Sequence, residues 1–278
     1  MPTPLLDGNA ALKLLNPLTD LVAQAGIAIL AINRQAMQVS GKDDGSPVTE
    51  ADLAADAIIA EGLARLAPDV PVLSEERASL ATPPFLAPYR SSFFLVDPLD
   101  GTREFVAGRD EFTINLAIVT DNRPLLGIVG APALGQIWRG VVGHGAERLA
   151  VAADGSTGAP TAIHTRPHPA ASRPWIAAVS RSHGDRRTEA FIDSRPGAVR
   201  QALGSAVKFC RVAEGGADIY PRLAPTSEWD VAAGHAVLIA AGGKITDSRG
   251  QPLRFGDNKD NFIIPEFIAW GDPASAVF

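Results

Sequence analysis

The stretch Val96-Asp97-Pro98-Leu99-Asp100-Gly101-Thr102-Arg103-Glu104-Phe105, VDPLDGTREF, decides how this chain is read. It follows the apolar run 93–96 and places two carboxylates three residues apart around a proline. Pro98 fixes one backbone torsion and Gly101 admits a left-handed turn, so both carboxylates and the Leu99 carbonyl can converge. Hard divalent cations such as magnesium take oxygen ligands of this kind and usually keep several waters. Asp-Pro and Asp-Gly are also common turn chemistry. Alone, the stretch reads first as a turn and second as part of a metal site.

Other acids keep it company. Ser74-Glu75-Glu76 ends a second apolar run, Asp230 stands near a helix start in SEWDVAAG, and Asp52 lies three residues after Thr49, a helix cap. Each has a simpler role. Glu75 and Glu76 suit a solvated loop, Asp230 suits a helix dipole, and Asp52 suits a capping-box exchange with Thr49. Gly101 and Thr102 begin a short helix whose free N–H groups offer a phosphate a positive end.

Outward from these points, Leu18, Leu21, Val22, Ala25, Ile29 and Ile32 recur at helical spacing and predict an amphipathic helix over 17–37. The polar loop SGKDDGSP precedes a second helix, capped by Thr49 and closed by Pro68, whose Leu53, Ala57, Ile58, Leu63 and Leu66 are apolar. Strands are expected at 70–73, 93–96, 113–119, 126–130 and 136–142, giving a mostly antiparallel sheet. A tract rich in Ala, Gly, Thr and Pro over 150–174 suits a boundary. It divides the chain into an α+β half, 1–160, and an α/β half, 161–278. In the second half, strands at 175–180, 198–203 and 244–246 alternate with helices at 185–195, 206–214 and 229–241.

Composition narrows the function classes. The 278 residues are 46% apolar and 20% charged with a net charge of −6, which fits a globular protein and argues against a polymer-coating nucleic-acid binder. The one cysteine, Cys210, excludes an internal disulfide framework and reads as a core residue, as does His235. The N-terminus lacks the basic region of a signal peptide, and no apolar run approaches the roughly 18 residues of a membrane span, so a cytoplasmic protein is expected.

The series LSEE, VDPLDGT and WDVAAGHAVLIAAGG, in this order over nearly the whole chain, resembles the inositol monophosphatase superfamily of magnesium-dependent, lithium-sensitive phosphatases. The resemblance implies a layered αβαβα sandwich of the inositol monophosphatase and fructose-1,6-bisphosphatase type, with the site in a cleft between the halves. It implies about two or three magnesium ions on Glu75, Asp97, the Leu99 carbonyl, Asp100 and Asp230. Asp52 with Thr102 would activate the attacking water, and Gly101 and Thr102 would face the phosphate. Glu75 ranks ahead of its neighbour Glu76 as the ligand.

The second half carries SRSHGD over 180–185 and GSAVKFCRVAEGGADIYPRLAPTSEWD over 204–230, with the bases His183, Lys208, Arg211 and Arg222. A single metal-bound phosphate would not need them. Composition alone makes Lys208 and Arg211 the solvated face of a helix. The pattern resembles the 3'(2'),5'-bisphosphate nucleotidase (CysQ-type) branch, whose substrate 3'-phosphoadenosine 5'-phosphate carries a second phosphate. By matching position, Ser205, Lys208 and Arg222 would hold that phosphate and His183 would lie near the nucleoside. The implied reaction is hydrolysis of the 3'-phosphate to AMP and phosphate, clearing a by-product of sulfate activation. The alternatives are an inositol-1-phosphate or broad sugar-phosphate phosphatase, and a metal- and nucleotide-binding regulator without catalysis. A monomer or homodimer, with or without peripheral contact to the inner membrane, is compatible. Lys42, Asp43 and Asp44 resemble a segment that closes over the site in this superfamily; as a charge run they suit a solvated loop.

Overall fold

A computed structural model describes residues 5–34, 39–41, 47–78, 92–170, 173–181, 184–195, 197–256 and 261–276. The chain begins with α1 (Gly8–Ala31), a short hairpin of β1 (Val39–Gly41) and β2 (Pro47–Thr49), and α2 (Glu50–Leu66). Next come β3 (Val72–Ser74), the one-turn α3 (Glu75–Ala78), β4 (Phe93–Asp100) and α4 (Thr102–Val106). A meander follows: β5 (Thr113–Thr120), β6 (Arg123–Ala131), β7 (Gln136–Val141), β8 (Gly145–Ala150) and β9 (Thr161–Ile163). The remainder is β10 (Ile176–Ser180), α5 (Arg186–Asp193), β11 (Val199–Leu203), α6 (Val207–Ala213), β12 (Ile219–Arg222) and β13 (Thr226–Ser227). It closes with α7 (Glu228–Ala240), β14 (Lys244–Thr246), β15 (Ile263–Ile264) and β16 (Phe267–Trp270).

Strands β3 to β9 form a seven-stranded sheet in sequence order, antiparallel except for the β3–β4 pair. A five-stranded mixed sheet runs β11-β10-β12-β16-β14. Because side chains alternate across a strand, each central strand feeds two cores. Phe94 and Val96 join the core under α1 and α2, whereas Phe93 and Leu95 join the core shared with α6 and α7. In the second sheet, Tyr220 and Phe267 face that same central core, while Ile219, Ile268 and Trp270 face α5. The layers are therefore α1/α2, sheet, α6/α7, sheet, α5, the expected αβαβα order.

Helix α7 lies across the first sheet on β4 to β7. At Gly127 a Cβ would meet the Ala233 carbonyl oxygen at 2.1 Å, so helix and strand touch backbone to backbone there.

Several elements differ from the sequence reading. The first helix starts at Gly8, with Asp7 Oδ1 accepting from Ala10 N at 2.8 Å, and Pro17 lies inside it instead of opening it. The turn around that proline is held from outside: Arg139 Nη1 donates to Asn16 Oδ1 at 2.7 Å and to Thr19 Oγ1 at 3.1 Å. This helix also corrects the expectation that no segment is long and apolar enough to cross a membrane. By length and composition Gly8–Ala31 qualifies, with mean hydropathy 1.5. In this structure Leu18, Leu21, Val22, Ala25 and Ile29 are buried against α2 and the first sheet. In α2, only Leu63 of the five apolar markers is buried; Leu53 and Leu66 are exposed. The buried stripe carries Asp52 and Asp56 with Ala55 and Ile59, because part of this face belongs to a polar site. Strands β8 and β9 extend the first sheet into the tract read as a boundary, and β12, β13, β15 and β16 had no expectation at all.

Candidate metal centre and phosphate cleft

Strand β4 delivers two of the acids through an irregularity. Asp97 pairs with Asn115 and Asp100 with Thr113, so three steps on β4 match two on β5. In a regular strand, residues three apart face opposite sides. The extra residue restores Asp100 to the side of Asp97 while Leu99 enters the α1/α2 core. Pro98 has no N–H to lose to a ladder, which suits it to this position. Gly101 then takes φ +93° and opens α4, a backbone state that other residues rarely adopt. The stretch is both an irregular strand end and a turn.

Two helix starts supply the other central acids. Thr49 N and Oγ1 donate to Asp52 Oδ2 at 2.8 and 2.6 Å, and the Thr49 hydroxyl in turn accepts from Ala51 N and from the backbone N–H of Asp52, the last completing the capping box of α2. Asp52 Oδ1 accepts from Thr102 Oγ1 at 3.0 Å; that hydroxyl also lies 3.2 Å from the Leu99 carbonyl. At α7, Thr226 Oγ1 and Ser227 N donate to Asp230 Oδ2, again within a capping box.

Ligand oxygens of Asp97, Asp100 and Asp230 lie within 4.8 Å of one another. Burial and the charges of Glu75, Asp100, Asp230 and Asp52 push Asp97 well above the usual carboxylate range. Burial and Asp230 push Asp100 up to about 7, against the pull of Lys208, Asn115 and Arg222. Burial raises Asp230 as well. Crowded carboxylates of this kind resist ionisation until a cation neutralises them. An all-oxygen donor set suits a hard divalent cation, so the residues present fit the metal that the resemblance implies.

The cleft above these acids is lined by Glu75, Asp97, Leu99, Asp100, Gly101, Thr102, Ser205, Lys208, Arg222 and Asp230, among others. Glu75 acts on Asp97 through its charge, and its oxygens are not among the tight three-acid group. Ser205 adopts φ +46° and its hydroxyl faces the carbonyl oxygens of Asp100 and Glu111 at 2.9 and 3.1 Å. It thereby bridges the first sheet to the entry of α6. Lys208 is 3% exposed, not on a solvated face; its Nζ donates to the Ser205 carbonyl at 2.6 Å and lies 5.3 Å from the Tyr220 ring centroid. Burial pushes its pKa down to about 8. Arg222 Nη2 donates to the Pro225 carbonyl at 3.1 Å, whereas its buried Nε has no partner among the described residues. His183, Lys42, Asp43 and Asp44 lie outside the described residues. Cys210 is buried and its thiol is pushed up by desolvation, as suits a core residue.

Sequence reasoning missed the groups that orient these acids. Thr226 holds Asp230 from one turn before it, and Thr113 and Asn115 reach Asp100 Oδ2 at 3.3 and 3.4 Å from the paired strand. The signal was a hydroxyl four residues before Asp230 and polar residues in an otherwise apolar β5.

Comparison with known proteins agrees with this geometry. The sequence matches the inositol monophosphatase family over residues 12–267. It is 38% identical over 258 residues to the 3'(2'),5'-bisphosphate nucleotidase CysQ of Escherichia coli (strain K12), covering 91% of this chain and 98% of that protein. The fold superposes on crystalline CysQ from Bacteroides thetaiotaomicron with TM-score 0.72 and 31% identity, covering 92% of this chain and 97% of that one. The Thermotoga maritima IMPase shares the fold, with TM-score 0.71 and 24% identity over 92% of this chain and 91% of that one. Acid cluster, layered fold and sequence match together place this chain in the inositol monophosphatase family.

Proposed function

We propose that this protein is a magnesium-dependent phosphomonoesterase that removes the 3'-phosphate of 3'-phosphoadenosine 5'-phosphate, yielding AMP and phosphate. The observation that carries this reading is one cleft holding both an acid cluster and a basic pair, Lys208 and Arg222. The likeness to bisphosphate nucleotidases over nine-tenths of the chain supports it.

In this reading Glu75, Asp97, Asp100, Asp230 and the Leu99 carbonyl hold the metal. Bound divalent cations lower the pKa of water and neutralise charge on oxygens at phosphorus. The protein's own residues then manage the proton. Thr102 Oγ1 donates to Asp52 Oδ1 and so turns its lone pairs outward to accept a proton from the attacking water. Asp52 Oδ2 is committed to Thr49, which leaves Oδ1 as the atom facing Thr102. Gly101 and Thr102 are assigned to the phosphate at the start of α4. Ser205 is assigned, with Lys208 and Arg222, to the end of the cleft that takes the second phosphate, and its hydroxyl also fixes the Asp100 backbone. Removing this nucleotide would clear a by-product of sulfate activation.

The test is phosphate release from 3'-phosphoadenosine 5'-phosphate, inositol 1-phosphate and fructose 1,6-bisphosphate with magnesium present. The bisphosphorylated nucleotide should be preferred by kcat/KM. A preference for inositol 1-phosphate would overturn the substrate assignment, and tight nucleotide binding without release would point to a regulator.

A further inference from the structure

Asp56 has no part in the chemistry above, yet it is 8% exposed and both of its oxygens are engaged. Oδ1 accepts from Ser74 Oγ at 2.6 Å, and Oδ2 accepts from Arg77 Nε at 2.9 Å. Ser74 immediately precedes Glu75 and Arg77 follows it by two residues. The turn that carries Glu75 into the cleft is therefore gripped at both ends by one carboxylate.

That turn needs an external anchor. Helix α3 has four residues, too few for a helix to hold itself, and it leaves a three-residue strand at the edge of the sheet. Helix α2 supplies the anchor from its buried stripe, where Asp56 lies one turn after Asp52. One rigid helix thus fixes the Thr102 partner and the Glu75 turn together.

We propose that Asp56 is a positioning residue for Glu75, setting that carboxylate at the distance from Asp97 at which a divalent cation is shared. The inference rests on the reading of Glu75 as a metal ligand. The Arg77 side chain is 51% exposed, and ion pairs so open to solvent add little global stability. The bond from buried Ser74 to a carboxylate is the stronger, more directional one. Orientation of the turn is what the cluster supplies.

Calorimetric titration of the full chain with Mg2+ alone tests this without any turnover. Asp56→Ala should weaken Mg2+ binding by about tenfold or more, the usual effect of removing a group that orients a ligand. Its Tm in EDTA should stay close to that of the parent. Ser74→Ala should lose less, and the double variant should lose no more than Asp56→Ala, because both act through one contact. If Asp56→Ala fails to fold by circular dichroism, Asp56→Asn takes its place, with a smaller but measurable loss expected. Glu75→Gln in the same titration separates the two claims. Unchanged affinity in Glu75→Gln overturns the ligand reading and this proposal with it. Weakened binding in Glu75→Gln with unchanged binding in the Asp56 variant overturns the positioning role alone.

Discussion

Helices α2 and α7 begin with the same device and put it to different uses. Each opens on a hydroxyl residue, Thr49 or Ser227, with an aspartate three residues on, Asp52 or Asp230, whose Oδ2 satisfies the backbone at the start. Such a cap is ordinary helix chemistry, worth about 1 kcal/mol. What differs is the surroundings of the other carboxylate oxygen. Asp52 Oδ1 meets the Thr102 hydroxyl, whereas Asp230 stands among Asp97 and Asp100 with Lys208 and Arg222 nearby. A capping box aims a carboxylate; in the proposed reading the neighbour decides whether it serves a proton or a cation.

The comparison can be broken at its strongest point first. Asp97→Asn removes the acid at the centre of the cluster, so turnover should drop below detection. Metal-free stability should hold or rise, because a buried repulsion is relieved. Loss of the folded circular dichroism spectrum would show a structural role instead. Next come the two capping acids. Asp52→Asn keeps an acceptor for Thr49, so it should lower kcat by about 10²–10⁴-fold and leave the Mg2+ half-saturation point within about twofold. Asp230→Asn should do the reverse, raising the Mg2+ half-saturation point about tenfold or more, with activity returning at high Mg2+. Were both variants to show one phenotype, the division of labour between the helices would be wrong.

A smaller effect separates the basic end from the acidic one. Lys208→Met should raise KM for the bisphosphorylated nucleotide about tenfold, a loss of about 1.4 kcal/mol, and should change KM for singly phosphorylated substrates little. Equal losses on both would reassign Lys208 to holding the Ser205 carbonyl alone.

The mildest effect is a pH dependence. The folded-state pKa of Asp100 is raised to about 7 by burial and Asp230, above its unfolded value. The folded protein therefore holds an extra proton from about pH 4 to 7, and stability falls as pH rises through that window. Metal-free Tm should drop by a few degrees from pH 5 to 8. Saturating Mg2+ should flatten or invert the trend, since the cation takes the place of the proton. A metal-free Tm that rises over this range would refute the raised Asp100 value.

Much of this was readable from the chain, and for definite reasons. VDPLDGT announced the turn because proline and glycine restrict and permit particular torsions, and the helix of 50–66 carried its cap in Thr49 and Asp52. The layered order came from the family resemblance, with which the helical and alternating periodicities were compatible. The face of α2 was misread because periodicity weighs apolarity, and its buried stripe contains Asp52 and Asp56. Strands β9 and β15 have three and two residues, too short to show alternation. The bulge in β4 was illegible because it exists only against the register of β5. Lys208 looked like a solvated helix position because no local pattern shows that a second sheet covers it.

The bare contact between Gly127 and the Ala233 carbonyl has a mechanical consequence. It acts as a depth stop for α7: the helix rests at the height at which Asp230, one turn toward its start from Ala233, reaches Asp97 and Asp100. A methyl group at position 127 would meet that carbonyl at 2.1 Å and lift the helix off the sheet. Overpacking of this kind costs about 1–3 kcal/mol, which a fold of this size can absorb. The approach of Asp230 to Asp97 and Asp100 is thereby set from an apolar seam that contains no ionisable atom.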